Sequence, residues 1–348
     1  MMNSEIKELR ESALQVISDS GLAADENTTW PQIAELGWLM VSAPEELGGL
    51  GFGIAGVCAL QLEMGRGLST VPYLPAMLAI EAVCNGEIDD REGWVERLST
   101  AAEFISAPLA DSVVNVANGV LSGFVTAVPS ADNASHVLVN TSDCVALVPL
   151  NAAGVTVVTR QTWDETRRLF DVQFNNVALD AKLTLASGAP AKALSQRIAT
   201  LRDFALAADA VGGAAGILAM TVEYLQTRQQ FGRPLALFQA LKHRCADLKA
   251  QVEAADALLH DNLSKIAANF GAAEIADDAE NKGKAAKRLA CAAFALIAED
   301  ALQLHGGIGM TEEHNCHLYL KRALLNDQLG RGDSYEIDLA ENLLRRFA

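Results

Sequence analysis

Over the first hundred residues or so, apolar side chains recur every three to four positions, as in "TTWPQIAELGWLM" (Thr28 to Met40). That period predicts helices with one apolar face. Thr29 reads as an N-cap and Pro31 as part of the first turn, and the glycine-rich "PEELGGLGFG" (Pro44 to Gly53) interrupts the pattern. From about residue 105 the period shortens. "HVLVNTSDCVALVPL" and "GVTVVT" are β-branched runs separated by Asn, Ser, Asp and Gly, the pattern of short strands and turns. After about residue 190 the chain is rich in Ala and Leu at helical spacing, with breaks at "FGRP", "NFGAAEIADDAENKG", "HGGIG" and "GRGDS". This predicts four or five helices of roughly 15 to 35 residues in an antiparallel bundle. The expected organisation is a helical region over 1–104, a β region over 105–184 and a helical bundle over 185–348.

The breaks are where chemistry is expected. "GRGDS" (Gly330 to Ser334) lies between two runs of helical period, so it reads as a stop and restart rather than an adhesion motif; Gly330 and Gly332 supply permissive backbone, and Asp333 with Glu336 matches a capping box. In "EYLQTRQQFGRPLALFQALKHRCADL" a long helix is expected to end at Gly232, with Pro234 preventing its continuation and a new helix starting near Leu237. Arg228 and Gln239 flank that turn, and an arginine beside a helix start suits a phosphate. In "ALQLHGGIGMTEEH" the backbone at Gly306 and Gly307 is open to close approach, and Thr311 reads as the next N-cap, with Glu312 and Glu313 in the first turn. His305 reads as packing or as a partner of the helix end. On a helix His314 and His317 would share a face while Cys316 points away, with no fourth ligand, so no metal is expected. Trp30 and Trp38 read as core.

Composition narrows the function classes. With 348 residues, 50% of them hydrophobic, the chain can bury a large core in two or three domains. Forty-four acidic against 27 basic residues give a formal net charge of −17, which argues against nucleic acid or an anionic membrane as the main partner. "MMNSEIKELRESA" lacks the apolar centre of a signal peptide, and no stretch reads as a membrane span. The six cysteines include no C-x-x-C pair, as expected of reduced thiols in a cytoplasmic protein.

Taken in order along the chain, these segments resemble the acyl-CoA dehydrogenase family of flavoenzymes. "WPQIAELGWLMVSAPEELGGLGFG" looks like its N-terminal helical domain, "RQQFGRPLALFQ" like its arginine-Phe-Gly-Gln segment, and "QLHGGIGMTEEHNCHLYLKRA" like its C-terminal glycine signature. The resemblance implies an α+β, mostly α, fold with an N-terminal helical domain, a middle β-barrel domain and a C-terminal four-helix bundle. It also implies FAD as cofactor, an acyl-CoA substrate and an electron-transfer protein as acceptor. In the family, the matching residues reach FAD held mainly by a neighbouring subunit. The resemblance therefore assigns that role to Arg228, Phe231, Gln239, Gln303, Gly306 and Gly307.

Two places depart from the family pattern. The segments that line a member's own flavin leave only an echo in Ser106 to Asp111 and in "GFVT" (Gly123 to Thr126). The family's reaction requires a carboxylate base, yet arginine stands at both positions where members place it, Arg331 and Arg202, and arginine does not accept a proton at working pH. Asp333 and Asp203, beside them, are the only base candidates in this chain. The leading expectation is thus the short subunit of a heterotetrameric acyl-CoA dehydrogenase, which completes the FAD site of a related subunit carrying the catalytic Glu. The heteromeric members handle sterol-derived side chains, which places the chain in steroid degradation by analogy. The alternatives are a self-sufficient homo-oligomer using Asp203 or Asp333, and a flavin-free scaffold on the same fold.

Overall fold

The structure, a computed structural model, describes residues 4–110, 112–267, 270, 277–331 and 334–347. Five helices come first: α1 (Ser4–Ser20), α2 (Glu26–Glu35), α3 (Gly53–Arg66), α4 (Tyr73–Asn85) and α5 (Arg91–Ser99). The start of α2 differs from expectation, because its N-cap is Asp25. Thr29 lies inside the helix and its hydroxyl donates back to the Asp25 carbonyl at 2.9 Å, while Pro31 sits beyond the first turn. The Asp25 carbonyl already accepts the amides of Thr28 and Thr29, so the helix nucleates on aspartate, not on threonine. Trp38 is buried and Trp30 packs against the core.

Eight strands follow: β1 (Ile105–Ser106), β2 (Val113–Ala117), β3 (Val120–Pro129), β4 (His136–Asn140), β5 (Cys144–Pro149), β6 (Val155–Arg160), β7 (Leu169–Ala178) and β8 (Thr184–Ser187). They form two four-stranded sheets, ordered β1-β4-β5-β8 and β2-β3-β7-β6. Only β1 with β4 is parallel; the other neighbours within the two sheets are antiparallel. Inward-facing residues at alternate positions, among them Val125 and Leu121 on β3, Val137 and Val139 on β4, and Val172 and Phe174 on β7, close a core between the two sheets.

The remainder is mainly helical: α6 (Ala189–Thr227), α7 (Gln239–Ile266), α8 (Asp277–His305), α9 (Cys316–Gln328) and α10 (Ser334–Phe347). At 39 residues α6 is the axis of the molecule and packs on α3, α4, α7, α8 and α9. It is long and apolar enough by composition to cross a membrane, unlike the expectation from the sequence, and α8 with the turn after it also passes that test; in α6, 78% of the apolar stretch is buried inside the protein. Small residues let its neighbours close in. A Cβ on Gly212 would lie 1.8 Å from the Leu62 carbonyl oxygen, and one on Gly65 would lie 2.2 Å from the Asp209 carbonyl oxygen, so α3 and α6 touch backbone to backbone.

Two helix boundaries also move. The first long helix stops at Thr227, before the expected Gly232, and α9 is preceded by Asn315 as its cap residue instead of Thr311. Thr311 instead bonds the Ile308 carbonyl through both its amide and its hydroxyl, ending a 3-10 turn over Gly306–Met310. All six cysteines are free, and only Cys245 is not buried.

Candidate functional site

After Thr227 the chain makes a small hairpin of β9 (Gln229–Gln230) and β10 (Arg233–Pro234), with Gln230 paired to Arg233. Its two loop residues, Phe231 and Gly232, have φ of 54° and 75°. Positive φ at both places is the geometry of the two-residue turn that matches strand twist. Glycine adopts it freely; phenylalanine rarely does, and such strain persists where surroundings or function demand it. Phe231 is 89% exposed at the tip and meets Phe238 in an edge-to-face pair, with centroids 6.1 Å apart. Arg233 stacks over the other ring of that pair, 4.0 Å from the Phe238 centroid. Arg228 opens the hairpin. Its carbonyl accepts the Leu235 amide at 2.9 Å, which fixes the backbone while its side chain is exposed.

Gln239 is the first residue of α7, whose N-terminus carries no side-chain cap, leaving the first amides available to an acceptor. Gln303 lies in the last turn of α8, with Gly306 and Gly307 just beyond, and all three are exposed. A Cβ on either glycine would meet nothing within 4 Å, so the backbone there is open to close approach. The end of α6 and the end of α8 are held together: the Tyr224 ring stacks on His305 at 4.5 Å, and its hydroxyl donates to the His305 carbonyl at 3.2 Å. Arg244 in the second turn of α7 pairs with Asp300 of α8. Arg228, Phe231, Gln239, Gln303, Gly306 and Gly307 therefore share one end of the bundle, and all six face outward. A flat, anionic group with aromatic parts fits this set: a guanidinium and open helix amides for phosphate, an exposed ring for stacking, and bare glycines where a side chain would intrude.

The second feature is a cleft of about 600 Å³ between the sheets and the bundle, lined by Asn140, Ser195, Arg202, Asp203, Lys284 and Arg331 among others. A smaller chamber of about 110 Å³ adjoins it through Ser112, Asn140, Ser195, Ala199 and Arg202. Asp203 is 1% exposed. Its Oδ1 accepts the Tyr335 hydroxyl at 2.6 Å and the Arg202 Nε–H at 2.9 Å. Burial, and then the Asp203 carboxylate, push the Tyr335 phenol well above its ordinary range, so Tyr335 keeps its proton and donates. Arg331 pairs with Asp338 at 2.9 Å. Asp333, the other base candidate, lies outside the described residues, as does Gly332. The break at Gly330 is a junction: its amide donates to the Leu109 carbonyl at 2.6 Å, its φ is 75°, and a Cβ there would come within 2.0 Å of the Tyr335 oxygen. Glu336 bonds Arg288 at 2.6 Å.

Sequence reasoning missed Tyr335, because nothing local marks it; its partner Asp203 is 132 residues away in the chain. His305 packs at the helix end as expected, since it is buried, stacks on Tyr224 and bonds the Ala301 carbonyl; its nearness to His314 and Cys316 was not foreseen. His317 bonds the His314 carbonyl through Nδ1 at 2.8 Å, and the ring that joins His314 and Cys316 is His305, with the three ligating atoms within 4.8 Å of one another.

Comparison with known proteins gives one family. The model of the acyl-CoA dehydrogenase N-terminal domain matches residues 5–100, and that of the C-terminal domain residues 195–337. The chain is 32% identical over 321 residues to the acyl-CoA dehydrogenase IpdE2 of Mycolicibacterium smegmatis, covering 91% of this chain and 88% of that one. Among solved structures it is similar to a Tcur3481–Tcur3483 steroid ACAD variant, with a TM-score of 0.85, 26% identity and 98% of each chain covered. It is also similar to the ChsE4–ChsE5 complex from Mycobacterium tuberculosis, with a TM-score of 0.83, 23% identity, and 100% of this chain and 97% of that one covered. The fold, the outward-facing glycine and arginine segments and a relative matched over nearly the full length agree, and the chain belongs to the acyl-CoA dehydrogenase family, whose members bind FAD.

Proposed function

We propose that this chain is the short subunit of a heteromeric FAD-dependent acyl-CoA dehydrogenase, and that it completes the FAD site of a related subunit which carries the catalytic Glu. One observation carries the reading. The six residues suited to hold FAD face away from the chain, while the two positions where the resemblance expects the base hold Arg202 and Arg331, both on the lining of the cleft. In the assembled site Arg228 and the start of α7 would meet the pyrophosphate, Phe231 and Gln239 the flanking parts, and Gln303, Gly306 and Gly307 the adenosine side. When bound, FAD supplies the acceptor for the hydride that leaves the β-carbon of the acyl-CoA. This chain's share is binding and orientation; the partner's carboxylate takes the α-proton.

The two solved structures that pair two differently named subunits support a heteromeric assembly, and the word "steroid" in the description of one of them supports a bulky, sterol-derived acyl group; the proposed assembly is a heterotetramer that passes its electrons to a separate acceptor protein in the cytoplasm. The homo-oligomeric alternative rests on Asp203 or on Asp333, which lies outside the described residues; Asp203 lines the cleft, but its Oδ1 already accepts two hydrogen bonds.

Producing the chain alone and together with a longer family member tests the proposal. Alone it should be poorly soluble or flavin-poor, because the outward face lacks its partner. Together they should hold FAD, and Arg228→Ala should speed flavin loss about 10- to 100-fold, the worth of a charge-assisted contact of about 1.5–3 kcal/mol. A soluble homo-oligomer with one FAD per chain would sink the heteromer.

A further inference from the structure

Beneath the outward glycine turn lies a cluster that the dehydrogenase reading leaves unused. His305 closes α8 and is 3% exposed. Its Nδ1 is 2.7 Å from the Ala301 carbonyl oxygen. A carbonyl only accepts, so the proton is on Nδ1 and the lone pair is on Nε2. That Nε2 is buried with no hydrogen-bond partner. An orphaned buried acceptor costs about 1–3 kcal/mol unless something fills it. Cys316, fully buried at the start of α9, and His314 on the connecting turn bring their ligating atoms to within 4.8 Å of His305 and of each other.

We propose that His305, His314 and Cys316 form a binding site for a transition ion of the zinc type, a site that fastens the α8–α9 turn. Three points of chemistry converge on this. Two imidazoles and a thiolate select zinc-like ions over magnesium or calcium. A metal-binding histidine almost always donates its other ring N–H to a carbonyl or carboxylate, as His305 does to Ala301. The scale is close: around zinc, at about 2.0 Å to nitrogen and about 2.3 Å to sulfur, tetrahedral ligand atoms stand roughly 3.3–3.5 Å apart. With the atoms now within 4.8 Å of one another, the trio must therefore close by about 1.5 Å at most.

His314 is the ligand that adjusts. It is half-buried, and its Nδ1 now accepts the Cys316 amide at 3.2 Å. The Cys316 thiol, now 3.5 Å from the Gly309 carbonyl oxygen, loses its proton to solvent as the sulfur–metal bond forms. Water completes the fourth position. Because Gly306 and Gly307 directly follow His305, an ion here would also set the backbone of the turn.

The full-length chain, purified with whichever partner subunit accompanies it, is stripped with a chelator and titrated with Co²⁺ and Zn²⁺. The expected result is about one ion per chain, with cobalt–thiolate charge transfer and ligand-field bands to the red of any flavin absorption. Cys316→Ser should abolish the charge-transfer band. His314→Gln, at a half-buried ring, should weaken Zn²⁺ binding by more than the about 10–100-fold that outer-shell changes cause, while His317→Gln should not. Circular dichroism checks that each variant is folded. Absence of stoichiometric binding by the natural chain would overturn the proposal. So would a cobalt spectrum that survives Cys316→Ser, or Zn²⁺ affinity equal in the His314 and His317 variants.

Discussion

Tyr335 and Asp203, 132 residues apart in the chain, meet at 2.6 Å, and that bond changes how the cleft is understood. A carboxylate in a cleft beside an arginine invites the role of a base. With one oxygen already accepting from a phenol and a guanidinium, Asp203 also ties α10 to α6, which accounts for its burial without a catalytic role. Asp203→Asn keeps an acceptor at Oδ1, so turnover of the assembled enzyme should stay within about 2-fold of the natural complex, against the roughly 10²–10⁴-fold expected when a general base is lost. Acyl-CoA oxidation with an artificial electron acceptor measures this. A collapse of turnover with an intact fold would return the base to this chain.

At the scale of elements, helix contacts are set by the smallest side chains. Gly65 on α3 and Gly212 on α6 place a carbonyl of each helix where a methyl group on the other would stand. Gly212→Ala must therefore push the helices apart, although alanine favours helix formation by about 1 kcal/mol. Overpacking costs about 1–3 kcal/mol or more, so the net effect should be destabilising. Chemical denaturation should show a lower midpoint, and a variant as stable as the natural chain would mean the helices part without loss. The hairpin between α6 and α7 follows the opposite logic. Its loop keeps a bulky, strained Phe231 in the open, where glycine or asparagine would fold more easily, as expected of a residue retained for what it touches.

For the molecule as a whole, one buried polar network joins the parts. Asp209 of α6 accepts from Gln61 of α3 at 2.8 Å and from Asn326 of α9 at 2.6 Å, and pairs with Arg167 at 2.9 Å. Arg322 of α9 reaches Asp164 at 2.8 Å in the loop between β6 and β7. Burial works to raise the Asp209 pKa, but Arg167, Arg322 and the hydrogen bonds from Asn326 and Gln61 outweigh it and hold the group below its ordinary 3.8. A depressed carboxylate stabilises the fold above its unfolded pKa, and that contribution is lost as pH falls through the folded value. At neutral pH, Asp209→Asn should therefore lose up to the about 3–5 kcal/mol of a broken buried pair. Its deficit relative to the natural chain should shrink below pH 3.8. Equilibrium unfolding across that range decides, and a deficit that does not change with pH would assign the loss to packing.

The sequence by itself determined the order of helical, sheet and helical regions, because period and β-branching are local properties. It also marked Arg228, Gln239, Gly306 and Gly307, which stand at breaks that their neighbours make visible, while Phe231 and Gln303 were reached only through the family resemblance. Helix ends were less legible. At Asp25 and Asn315 several polar residues compete for the cap, and only packing selects among them. Tertiary structure alone decided that Asp203 is tied to Tyr335, that His305 rather than His317 joins His314 and Cys316, and that Asp209 anchors three parts of the chain. Each of these depends on residues far apart in sequence, and a distance in space between such residues is fixed by the packing of whole helices, which no local pattern records.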